Sequence, residues 1–134
     1  MHHTKIIKII FVTLISLIAF QSVLAQRLPA GFVPPALHPE GVTLSIQKIS
    51  EHVYALQSSR PPADNAGFIV GDKGVLVIDA HIDANMANQI ISAVRKITDK
   101  PILYLVNTNG HADHTFGNYA FPQETKIIAQ KLTK

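Results

Sequence analysis

Val106-Asn107-Thr108-Asn109-Gly110-His111-Ala112-Asp113-His114-Thr115-Phe116-Gly117-Asn118 is the stretch from which the fold of this chain is read. It follows an unbroken apolar run, Ile102 to Val106, bounded by Pro101 before it and by the small polar group Asn107 to Gly110 after it. Such a run predicts a buried strand that empties into a loop. His111, Asp113 and His114 fall within four positions of that loop. A strand end leaves a loop little slack, so their N and O donors can be aimed at one divalent ion. Zinc accepts this mixed donor set and keeps a position for water. The plainer alternative is two polar loop histidines, with Asp113 capping a short helix that starts near Thr115.

The same loop, from Thr108 to His114 with Thr115, Gly117 and Asn118 after it, resembles the H-x-H-x-D-H signature of the metallo-β-lactamase fold superfamily. Upstream, the segment from Asn65 to Asp79 looks like the family's paired strands, which end in an acidic residue near the metal loop. The resemblance covers roughly residues 42–130. It implies an α/β chain, the N-terminal half of a four-layer αββα metallo-β-lactamase sandwich. It also implies metal-assisted hydrolysis, with His111, Asp113 and His114 as ligands. Asp113 would also orient the nucleophilic water or act as its base. Asp79, which by itself reads as a cap on the turn after its strand, would support the loop through hydrogen bonds rather than ligate.

One position departs from the signature. Asn109 stands where the family has its first histidine, and an amide oxygen is a far weaker zinc ligand than a neutral imidazole. In two-metal members, the positions matching Asn109 and His111 help hold the first metal, and those matching Asp113 and His114 the second. A group that works with a single zinc also carries Asn at the first position, but has Arg where this chain has His114. The resemblance thus implies one zinc rather than two, with Asn109 free to hydrogen-bond substrate or water.

Outward from this core, the chain opens with Lys5 and Lys8 at the start of an apolar run from Ile9 to Phe20, followed by Val23-Leu24-Ala25. This is the pattern of a signal peptide, residues 1–25, cleaved after Ala25. The run is short against the roughly 20 residues of a spanning helix, so no stable membrane span is expected after cleavage and the product is periplasmic or secreted. There is no cysteine, which excludes disulfides and a lipid-anchored lipoprotein. Loss of Lys5 and Lys8 brings 12 basic against 9 acidic residues down to 10 against 9, leaving no basic footprint for nucleic acid. Residues 26–41, with four prolines and two glycines, read as a linker.

From Val42 the alternation of apolar and polar residues predicts one strand to Ile49 and a second from Val53 to Leu56. Apolar runs Ala66–Val70 and Val75–Ile78 flank Gly71-Asp72-Lys73-Gly74, a tight hairpin. Asp83 caps a helix whose Met86, Ile90, Ala93, Val94 and Ile97 recur at helical spacing up to the break before Pro101. Ile102 to Val106 reads as a strand buried on both sides, and Lys126–Ala129 as one more short strand. His38, His52 and His81 read as structural or surface residues. Arg60 reads as a solvated loop residue.

No histidine follows His114, whereas the resembling family takes further ligands from a second half. Residues 42–134 are accordingly expected to be part of a larger domain in a longer exported hydrolase. A degenerate, non-catalytic half-domain and a metal-binding module that needs a partner chain are the alternatives. An uncovered sheet face would favour self-association. The substrate is a small molecule, but β-lactam, lactone, thioester, sulfate and phosphate esters all remain open, because fold does not fix chemistry.

Overall fold

The computed structural model describes residues 39–133. The expected signal peptide, His38 and most of the Pro-rich linker lie outside them. Six strands form one sheet in chain order: β1 (Leu44–Lys48), β2 (Val53–Ser58), β3 (Ala66–Val70), β4 (Val75–Ile78), β5 (Ile102–Asn107) and β6 (Lys126–Ala129). Short connections make β1 to β4 an antiparallel meander, and Gly71 N–H closes the β3–β4 turn on Gly74 O at 2.9 Å. β4, β5 and β6 are parallel, which demands long crossovers. Helix α1 (Ala84–Ile97) fills the first crossover. A one-turn helix α2 (Ala112–Thr115) and a 3-10 segment, Phe116–Ala120, fill the second.

The apolar stripe of α1 explains where it docks. Ala87, Ile90, Ala93 and Val94 are buried against the alternate residues Leu56, Phe68, Val75, Val77 and Leu105 of the sheet. Tyr54 and Phe68, directly opposed across β2 and β3, stack at 4.8 Å between ring centroids. Gln89 ties the helix to the edge strand, its Oε1 accepting from Leu44 N and its Nε2 donating to Val42 O. At the N-terminus, Asp83 Oδ1 accepts from Met86 N at 2.9 Å. Asp83→Ala leaves that donor without its cap and is expected to lower unfolding free energy by about 1 kcal/mol, read as a lower urea midpoint at unchanged slope.

β5 departs from the expectation of burial on both sides. Tyr104 is 38% exposed, and Leu103 and Val106 are only half-buried. Register places Ile69, Leu76, Ile78, Tyr104, Val106 and Ile128 on one face of the sheet. The buried cluster gathers on the opposite, α1 side. A continuous apolar run reports how a strand can be buried, and the layers around it decide how far it is. Among the described residues, no helix is long and apolar enough to cross a membrane.

Candidate metal centre

Parallel pairing puts the C-terminal ends of β4 and β5 on one edge of the sheet, and the antiparallel β3 brings its N-terminal end there too, Gly67 opposite Ile78. Three loops therefore open together, as they do where α/β sheets gather ligands. The turn after β4, Asp79-Ala80-His81, has two non-glycine residues at positive φ, +62° and +65°. Such conformations cost about 1–3 kcal/mol each and persist only where contacts enforce them. Here Asp79 N donates to Val106 O, Ala80 N to His114 O and Gly117 N to His81 O, all at 2.8–2.9 Å.

Asp79 is buried, and its carboxylate is the hinge of the site. Its Oδ1 accepts from Thr108 N and its Oδ2 from Thr108 Oγ1, both at 2.8 Å, while His114 Nδ1 lies 3.0 Å from the same Oδ2. This network assigns the imidazole proton to Nδ1 and leaves the Nε2 lone pair free, the arrangement that orients a metal-binding histidine. Burial alone would depress His114. The bond to Asp79 and the charges of Asp79, Asp64 and Asp113 outweigh it and hold the imidazole above its usual value.

His114 Nε2 faces two carboxylates, 3.9 Å from Asp113 Oδ1 and 3.9 Å from Asp64 Oδ2. One ligand atom from each of Asp64, Asp113 and His114 lies within 4.8 Å of the others. Two ligands of one zinc, each at about 2.0–2.2 Å, stand no more than about 4.4 Å apart, a limit both His114 distances meet. Asp64 Oδ2 is shut off from solvent and has no hydrogen-bond partner. Burial and the neighbouring Asp113 carboxylate push the Asp64 carboxyl up. An orphaned carboxylate oxygen beside a second carboxylate is a group that a cation would satisfy, and the donor chemistry fits a hard or borderline divalent ion.

The other residues singled out in the loop are placed differently. Asp113 lies inside the first turn of α2 rather than capping it, and His111 occupies the N-cap position without a side-chain bond. The His111 side is exposed and stands outside the Asp64–Asp113–His114 group. Asn109 Oδ1 accepts from His111 N at 2.8 Å, so the amide that replaces the motif's first histidine shapes the loop as an Asx turn. Arg60 is exposed and bonds Glu40 O.

Residues given no part in the metal loop hold the frame. Asn107 and Asn118 exchange side-chain bonds at 3.1 and 2.9 Å, and Asn107 Nδ2 also donates to His114 O. This amide pair closes the base of the loop. His81, buried, accepts from Ile82 N at Nδ1, which leaves its ring N–H on Nε2 to donate to Asp64 O at 3.1 Å.

Comparison with known proteins agrees with this architecture. The family model described as the metallo-beta-lactamase superfamily matches residues 60–130. A linear primary-alkylsulfatase of Pseudomonas sp. is 32% identical over 59 residues, which is 44% of this chain and 11% of that protein. Among solved structures, the metallo-beta-lactamase FIM-1 from Pseudomonas aeruginosa, in its mono-zinc form, superposes with a TM-score of 0.61 at 22% identity, covering 73% of this chain and 46% of the other. The stereoselective inverting sec-alkylsulfatase Pisa1 from Pseudomonas sp. does so with a TM-score of 0.53 at 21% identity, covering 63% and 14%. The chain spans less than half the length of each of these proteins. At these identities the structural likenesses establish the fold.

Proposed function

This chain belongs to the metallo-β-lactamase superfamily, and from that premise we propose that it serves a zinc-dependent hydrolase exported from the cell. The observation that carries the reading is the meeting of Asp113 with His114 at one point, His114 being held through Nδ1 by Asp79. These two residues would hold the ion. A bound zinc supplies a water acidified to near neutral pH and a Lewis acid for the electrophilic oxygen of the substrate.

The chain's own groups do the rest. Asp79 fixes the His114 tautomer and increases its basicity as a ligand. Asp113, with two carboxylate oxygens, can direct one to the ion and use the other to orient an attacking water or accept its proton. Asn109 supports a single zinc rather than two, since its amide oxygen is already engaged with His111 N. Esters, lactones, amides and β-lactams are the substrate classes this chemistry serves, and the alkylsulfatase relative adds sulfate esters. A metal-binding module without chemistry is the second reading, favoured by the exposed His111 standing apart from the cluster.

The test is zinc content after dialysis against a mild chelator, followed by assays on a β-lactam, a lactone and an alkyl sulfate. About one zinc per chain is expected, matching a single site. Absence of zinc sinks the reading that this chain holds the metal with its own residues, and zinc without turnover on any substrate class leaves the binding module.

A further inference from the structure

We propose that Asp64, delivered by the β2–β3 loop rather than by the His-Asp motif, is a third protein ligand of the ion that Asp113 and His114 hold. The proposal rests on the reading of this site as a metal centre. Asp64 Oδ2 lies 3.9 Å from His114 Nε2, and one oxygen each of Asp64 and Asp113 with a His114 nitrogen lie within 4.8 Å of one another, so a small side-chain shift brings the three donors onto one ion. Catalytic zinc sites take three protein ligands and a water, and these three complete that number.

Two further features single out Asp64 from a surface carboxylate. Its Oδ2 is closed to solvent and lacks any donor, although a carboxylate oxygen so placed loses its hydration without compensation. The one group beside it is the Asp113 carboxylate, which repels it when both are ionised and satisfies it only by sharing a proton that a bound cation would replace. The loop is also tied down where it matters. His81 is 2% exposed, and its Nε2–H holds the Asp64 carbonyl at 3.1 Å. His81 and Asp79 are the two positive-φ residues of one three-residue turn. That turn aims His114 through Asp79 at one end and Asp64 through His81 at the other. Strain of this kind collects where geometry must be held.

Asp64→Asn separates a ligand from a structural residue. The amide keeps the shape, removes the charge that Asp113 repels, and ligates zinc weakly. The metal-free variant is therefore expected to melt at or above the temperature of the wild type, while zinc affinity, measured on the full chain by competition with a chromophoric chelator, falls by more than about 10-fold, the least that losing even a supporting contact costs. The cobalt(II) absorption bands of the variant should shift as well, because one oxygen donor is gone. Wild-type zinc affinity in Asp64→Asn, alongside loss of zinc in Asp113→Ala and His114→Ala, overturns the proposal and leaves the zinc reading intact. A parallel drop in melting temperature and affinity, with unchanged cobalt bands, makes Asp64 structural and also overturns it. Absence of zinc from the wild-type chain overturns both.

Discussion

His114→Ala is expected to lower zinc affinity by more than about 100-fold and to remove any hydrolysis with it. His114 occupies the central place in the network. A residue that merely orients a ligand is worth about 10–100-fold, and His114 is the ligand. Its Nε2 is the one imidazole donor in the cluster, and only its Nδ1 is taken up by Asp79. Asp79→Ala calibrates the scale. It frees the His114 ring and strips Thr108 N and Oγ1 of their acceptor, so its loss should fall inside the 10–100-fold interval and be accompanied by a lower melting temperature. Titration of both variants with zinc in a chelator-buffered series reads the two numbers. Equal affinities in His114→Ala and wild type would remove His114 from the site, and with it the assignment of Asp79 as its orienter.

The melting behaviour of the metal-free chain carries a signature of its own. The raised His114 value means that its cationic form is favoured by the fold: the stabilisation is fully present below the ordinary histidine range and is lost as pH rises through the elevated value. The same pairing makes zinc compete with a proton, so metal binding weakens toward acid pH.

The strands and α1 were legible because their periodicity is forced by burial. Asp83, Gly71 to Gly74 and the run before Asn107 each carry a local physical cause that neighbouring residues do not contest. The donors of the metal loop were legible as types, since His and Asp at close spacing offer the right atoms. Their partner was not. Asp64 sits between Ala63 and Asn65 in a loop with no period, and no spacing to Asp113 marks it. A signal existed nonetheless: once the β3–β4 hairpin is set by Gly71 to Gly74, Gly67 faces Ile78, and whatever precedes β3 must share an edge with whatever follows β4. Asp64 and Asp79 thereby leave the same sheet edge, with the His114 ring between them. The place of His111 outside the cluster had no such signal: it stands exposed at the N-cap of α2, its backbone N bonded to Asn109 Oδ1. The partial exposure of β5 likewise follows from layers around the strand, which its own residues do not encode.

Gly117→Ala is expected to destabilise the chain by about 3 kcal/mol or more, the upper end of overpacking costs. A Cβ at Gly117 would stand 2.0 Å from Ala80 O and 3.0 Å from both Ala80 C and Ala87 Cβ. The first obstacle is backbone, so no rotamer relieves it. Ala80 lies between the two positive-φ residues and is itself bound through N to His114 O, while Gly117 N holds His81 O. Moving Gly117 away breaks the bond to His81, and moving Ala80 away shifts Asp79 and the ring it aims. A domain of this size loses roughly 4–8 °C per kcal/mol, so the melting temperature should fall by roughly 12–24 °C. Zinc affinity should fall with it. Ala87→Gly separates the causes: it clears the Ala87 contact and leaves the Ala80 carbonyl in place, so the double variant should melt no higher than Gly117→Ala. Rescue by Ala87→Gly would mean that helix packing, and not the turn beneath the metal loop, makes glycine obligatory at this position.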